Sequence, residues 1–163
     1  MEYNDCRFDR DNQRFQFRAG AVIIEDGCVL LAKCDAADYY YSVGGAVKLG
    51  ETAEEAVKRE VFEETGVEYD VNRLLFVHEN FFVDEAVLKG VQFHEVCFYY
   101  LMKPQGKKEI NKESYCVCGR EHMHWVPIDE LNNSEVYPMF FKDKLLNLSK
   151  NIEHIVTDEL KDK

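Results

Sequence analysis

Apolar and polar residues alternate from residue 15 and then give way to a continuous apolar run through residue 25 (F-Q-F-R-A-G-A-V-I-I-E). That pattern predicts a strand entering a core. Asp26-Gly27 follows, and residues 28–33 (C-V-L-L-A-K) form a second apolar run. Asp-Gly between two such runs is a strong signal for a two-residue hairpin. Residues 34–41, rich in Ala, Asp and Tyr, read as a loop. Residues 42–45 read as a short extended piece ending in Gly44-Gly45. Two adjacent glycines permit a tight bend and a close approach of backbone to a ligand. Two further strands are predicted over residues 73–83 and 91–102, the second rich in aromatics. Residues 103–119 hold Pro104, Gly106 and Gly119 and read as a flexible connection. A short strand follows at 122–126, then a brief helix from Pro127.

Periodicity changes over residues 53–65, which contain neither Pro nor Gly. Thr52 is a suitable N-cap, Glu55 completes a capping box three residues later, and Gly66 suits the left-handed position after the helix. A second full helix is predicted over residues 138–150, where Phe141, Leu145 and Leu148 share one face. Residues 1–14 read as irregular or edge structure, and residues 152–156 as a candidate edge strand before a charged tail. Strands outnumber helices and hairpins dominate the early connections. The class is therefore α/β (α+β), a mixed sheet with helices on its faces. With 163 residues and no repeat or linker, residues 1–163 are expected to form one domain.

The first helix carries an anomaly. At about 100° per residue, Ala53, Ala56, Val57 and Val61 fall on one side, and Glu60, Glu63 and Glu64 fall among them. Three carboxylates at i, i+3 and i+4 repel one another, and burying unpaired charge is costly. A hard divalent cation with oxygen ligands, Mg²⁺ or Mn²⁺, is the natural partner.

The net charge of −11 argues against a surface that coats a polymeric nucleic acid. It leaves room for a phosphorylated substrate, because a bound metal inverts the local field. No apolar run reaches the length of a membrane span, so no membrane partner is expected. The N-terminus has neither the basic nor the apolar region of a signal peptide. With six cysteines and no such signal, reduced thiols in a cytoplasm are expected. Cys28, Cys34 and Cys97 sit in strand-like runs and read as small buried hydrophobes.

The spacing Gly45-x5-Glu51-x7-Arg59-Glu60-Val61-x-Glu63-Glu64-x-Gly66-Val67 resembles the Nudix box at all nine of its defined positions. The strand, hairpin and Gly-Gly run before it, and W-V-P-I-D-E-L at 125–131, resemble the same family, so residues 15–150 are broadly covered. The resemblance implies an α/β/α sandwich with a mixed central sheet. It also implies hydrolysis, dependent on Mg²⁺ (or Mn²⁺), of a nucleoside diphosphate linked to another group. It implies Glu60 and Glu64 as principal metal ligands, and Glu63 as a ligand that also orients the water. Glu51 would be a secondary ligand, and Gly45, or Gly44 beside it, a carbonyl donor. Arg59 would hold Glu63 across one turn. The alternative of a solvated, salt-bridged helix face is disfavoured by the apolar surroundings and the full motif. The partner implied is a nucleotide-type small molecule, and a homodimer is compatible with the reading.

Outside the box the residues leave choices open. Glu121, four residues before Trp125 and at the end of the flexible connection, is the candidate general base. Glu95 is the rival, although alternation points it toward the sheet. Arg18 in an apolar strand needs an anion: a substrate phosphate, or an internal carboxylate. Among Tyr39, Tyr40 and Tyr41, Tyr41 is the candidate to stack on a base, against simple packing of the loop. Tyr137 and Phe140 carry the same choice. Cys116-x-Cys118 with His122 and His124 gathers four ligand-type residues, but not at the spacing of common zinc sites. Ordinary loop and strand residues are the better reading.

Substrate signatures are missing. An ADP-ribose-type branch would place Pro near residue 83, which is Val. No coenzyme A-type or NADH-type signature is seen. Nucleoside triphosphates, dinucleoside polyphosphates and nucleotide sugars remain candidates. The alternative function is a non-catalytic nucleotide sensor, which the intact box disfavours. A prenyl diphosphate isomerase ranks last, because no suitable Cys and acid pair is marked.

Overall fold

The structure, a computed structural model, describes residues 4–161. The first three residues of the predicted edge segment and the last two of the tail lie outside the described residues. Strands are β1 (Arg7–Arg10), β2 (Gln13–Val22), β3 (Ile24–Glu25), β4 (Cys28–Cys34), β5 (Tyr40–Ala46), β6 (Val71–Asp84), β7 (Val91–Met102), β8 (Ser114–Cys116), β9 (Gly119–Pro127), β10 (Val136–Tyr137) and β11 (Glu153–Asp158). Helix α1 spans Ala53–Thr65, a 3₁₀ segment spans Ile128–Asn133, and α2 spans Phe141–Lys144. Among the described residues, no helix is long and apolar enough to cross a membrane.

The sheet is mixed and runs β11-β6-β7-β2-β5-β4-β9-β8. Strand β2 lies parallel to β7 and antiparallel to β5. Its alternation therefore supplies both faces of the sheet. On one face Ala19, Ala21, Val43 and Val47 meet Ala56, Val57 and Val61 of α1. On the other, Val22, Val29, Leu31 and Phe76 meet Leu131, Phe141 and Leu145 from the 3₁₀ segment and α2. Full burial of each such Val or Leu contributes about 1.5–3 kcal/mol. Layers thus form on both faces, as expected, but of unequal depth.

Local chemistry fixes the predicted turns. Asp26 and Gly27 both take left-handed φ values, 49° and 71°, as a primed hairpin turn requires. Helix α1 starts where the Glu55 N–H donates to Thr52 Oγ1 (3.2 Å) and the Thr52 N–H donates to Glu55 Oε2 (2.8 Å). It stops at Gly66, whose φ of 70° lets its N–H reach the Phe62 carbonyl at 2.9 Å.

Two expectations change, and the two expected edge segments are strands. The helix predicted over 138–150 is one turn, Phe141–Lys144. Phe141 and Leu145 do share a buried face, but the Ser149 carbonyl accepts from Arg73 of β6 instead of continuing a helix. The flexible connection over 103–119 contains β8, which hairpins with β9. The N-terminal segment contains β1, paired antiparallel with β2 through a turn at Asp11. The expected edge strand is present as β11, parallel to β6.

Candidate active site

Helix α1 and the end of β5 form the site. Capping at Thr52 fixes the rotation of α1, so Glu60 and Glu64 lie on the side that faces the sheet, both half-buried. Glu63 departs from expectation. It stands at the edge of the apolar stripe and its side chain is 50% exposed. Two carboxylates, not three, point inward.

Glu64 Oε2 is buried with no hydrogen-bond partner. Burial pushes the Glu64 carboxyl well above its ordinary range, and the nearby Glu121 and Glu60 push it further. Glu121 Oε2 is likewise buried and without a partner. Burial raises the Glu121 carboxyl too, against a lowering contact with Cys116. Glu121 was expected at the end of a loop, whereas it sits within β9, opposite Cys34 of β4 and Ser114 of β8. The strand pairing brings it to the acidic end of α1.

The glycines form the opposite wall. A Cβ built on Gly45 would lie 2.4 Å from Glu60 Cδ and 2.6 Å from each of its oxygens. Gly44 has φ 146°, and a Cβ there would lie 2.3 Å from the Ala19 carbonyl oxygen. The backbone can therefore run directly against the Glu60 carboxylate. Buried oxygens without donors, a carboxylate against bare backbone and mutual repulsion fit a hard cation with oxygen ligands.

Arg59 has a larger role than the spacing suggests. Its Nε donates to Glu51 Oε1 (2.7 Å) and its Nη2 to Glu51 Oε2 (3.0 Å), a bidentate fork. Nη2 also donates to the Ala46 carbonyl (3.1 Å), and Nη1 to Glu60 Oε1 (2.6 Å) and Glu63 Oε2 (3.3 Å). The expected Glu63 contact is the longest of these. The Arg59 fork holds the Glu51 carboxyl below its usual range, against some burial. For Glu60, burial outweighs Arg59 and raises the carboxyl. Helical periodicity carried no signal for the fork, because Glu51 precedes the N-cap Thr52 and reaches Arg59 from the turn before the helix.

Arg18 lies between Ala46 of β5 and Cys97 of β7. Its Nη1 is 3.7 Å from Glu95 Oε2, so Glu95 is its internal carboxylate partner. Burial opposes its charge, but Glu95 and other negative neighbours, Glu64 included, raise it above the ordinary arginine value. Glu95 also accepts from Gln16 and is 5% exposed. It is thus engaged within the sheet.

Tyr41 is half-buried, with its hydroxyl 4.0 Å from Cys116 Sγ. Burial raises the phenol, and Glu121 adds to the effect. Tyr39 packs edge-on to Tyr41 and Tyr137, at 6.2 and 5.2 Å. Phe140 belongs to the core, packed against Phe76, His78 and Tyr99. The histidines near Cys116 go elsewhere: His122 bonds Asp35 at 2.6 Å and His124 stands edge-on to Tyr40.

A family model described as the NUDIX domain matches residues 14–144. A MutT-like protein from Streptomyces ambofaciens is 32% identical over 130 residues, covering 78% of this chain and 74% of that protein. The chain spans 22% and 34% of the length of two other curated relatives. Among solved structures, a MutT protein from Bacillus halodurans superimposes with a TM-score of 0.65 at 20% identity, covering 88% of this chain and 91% of that one. A MutT NUDIX hydrolase from Burkholderia pseudomallei does so with a TM-score of 0.59 at 27% identity, covering 78% and 95%.

Proposed function

Because the chain belongs to the NUDIX family of pyrophosphohydrolases, we propose that it hydrolyses, with Mg²⁺, the diphosphate bridge of a nucleoside diphosphate linked to a second group. The observation that carries this reading is the pair of buried, partnerless carboxylate oxygens on Glu64 and Glu121. In their ionised form such a pair calls for a cation between or beside them.

Glu60 and Glu64 would hold the ion, assisted by Glu51, the more exposed Glu63 and the Gly45 carbonyl. When bound, the ion supplies charge neutralisation for the phosphate oxygens. Arg59 holds Glu51 and Glu60 in place through its fork and its second guanidinium nitrogen. Glu121 takes a proton from the attacking water, a task its burial suits. As the water oxygen bonds to phosphorus, the bridging P–O bond breaks and the leaving phosphate carries away the electron pair. Arg18, shared with Glu95, offers positive charge to a substrate phosphate, and Tyr41 offers a ring to the nucleobase. The compartment proposed is a cytoplasm with reduced thiols, and a homodimer fits this assignment. Mn²⁺ would substitute for Mg²⁺, since both take oxygen ligands.

Phosphate release from a panel of nucleotides, with and without Mg²⁺ or Mn²⁺, tests the reading. Turnover is expected only with metal, and Glu64→Gln should reduce it by about two orders of magnitude, the scale of losing one electrostatic element of a site. Nucleotides that raise Tm but are never turned over with either ion would establish a sensor instead.

A further inference from the structure

Half of the six cysteines converge at one place beside the carboxylate site, where Cys116 meets Glu121 and Tyr41. Cys34 ends β4, Cys116 ends β8, and Cys118 sits in the turn that leads into β9. The β8–β9 pairing sets Cys116 opposite Gly119, and the β4–β9 pairing sets Cys34 opposite Glu121. The three sulfurs all lie within 4.8 Å of one another. The remaining three, Cys6, Cys28 and Cys97, lie outside this cluster.

The surroundings suit a ligand set better than a packed core. Cys34 is 3% exposed, but Cys116 and Cys118 are half-buried, so the cluster has a solvent side. The turn between them is exposed, with Val117 90% accessible, so its sulfurs can adjust. The Cys118 N–H donates to Cys116 Sγ at 3.3 Å. Such a donor orients and stabilises a sulfur that carries negative charge.

We propose that Cys34, Cys116 and Cys118 form a three-thiolate site for Zn²⁺, distinct in its ligands from the carboxylate site that it adjoins. Zinc–sulfur bonds of about 2.3 Å at tetrahedral angles put sulfurs about 3.8 Å apart, inside the 4.8 Å within which the present cluster lies. A hydroxide or water takes the fourth position. Soft thiolates select zinc, while oxygen ligands select magnesium, so the two sites sort different ions. The Cys116, Cys118, His122 and His124 grouping, which the sequence disfavoured, does not come together, and it is Cys34, some eighty residues earlier, that joins the two cysteines. Each thiol releases its proton to solvent as its sulfur bonds the metal, and no oxidant is required.

The fully reduced chain, in Mg²⁺ excess, is titrated with Co²⁺ as a spectroscopic probe and then with Zn²⁺. One equivalent of Co²⁺ should give thiolate-to-metal charge-transfer absorption, and one equivalent of Zn²⁺ should abolish it. Zinc should also protect three of the six thiols from a thiol reagent. Cys118→Ser lies in an exposed turn and leaves the core intact. It should lose both the absorption and the protection, while Cys28→Ala, outside the cluster, keeps both. Retention of the absorption by Cys118→Ser overturns the assignment. So do thiols equally reactive with and without Zn²⁺, or a cluster that closes into a disulfide in air yet binds no metal when reduced.

Discussion

At the scale of single residues, Gly44 and Gly45 do different work despite being neighbours. A side chain on Gly45 meets the far end of Glu60, which can swing away. A side chain on Gly44 meets the Ala19 backbone and occupies a φ of 146° that other residues resist. Gly45→Ala should therefore fold with a stability change within about 1 kcal/mol yet lose roughly tenfold or more in kcat by displacing a carboxylate. Gly44→Ala should lose about 2 kcal/mol or more in urea unfolding. Equal effects of the two on stability would remove the distinction. Residue types and spacing already marked Glu60, Glu64, Arg59 and the glycines. The partners of Arg18 and Glu121 were not legible, because register between strands distant in sequence sets them. Glu63 was misplaced because a wheel gives an angle and not the height of the surrounding wall.

Elements divide in the same way. Helix α1 was readable to its ends because its start and stop signals are local: a Thr52–Glu55 capping box and a left-handed Gly66. Thr52→Ala should cost about 1 kcal/mol, seen as a lower urea midpoint at unchanged slope. The larger consequence is functional, since a frayed first turn loosens the Glu51–Arg59 fork. An unchanged kcat in Thr52→Ala would show that the fork holds without the cap. The segment after Pro138 misled because its apolar spacing is helical while its polar groups are committed elsewhere. The Ser149 carbonyl goes to Arg73, and Lys144 goes to Glu153 at the start of β11. Likewise β8 carries no strand-like pattern of its own and exists through pairing with β9.

For the whole molecule, acid should act through the core as well as through the site. His78 is 2% exposed, with Nε2 2.9 Å from Thr157 Oγ1 and Nδ1 without a partner. It packs against Tyr99 and Phe140. Burial lowers its pKa to about 4. The unfolded chain takes up this proton near pH 6.5, while the folded chain resists it until near 4. Stability should therefore be full above about 6.5 and decline as pH falls toward 4, by about 3 kcal/mol from this group. Urea unfolding of His78→Gln, compared with the native chain at pH 7.5 and 4.5, should show a flatter acid limb. An identical limb would assign the acid loss to other groups.

Strand β2 also has a consequence in time. It pairs with β7 over ten consecutive residue pairs, and its partners lie about eighty positions later. During synthesis, everything the box requires, from Gly45 to Val67, leaves the ribosome long before β7 exists to cover β2. Until then one flank of the central strand offers unpaired backbone groups and apolar side chains to whatever is nearby. Assembly of the sheet therefore waits for residue 102, although the capped helix and the β2 and β5 residues it rests on, Ala19, Ala21 and Val43, have all been synthesised well before.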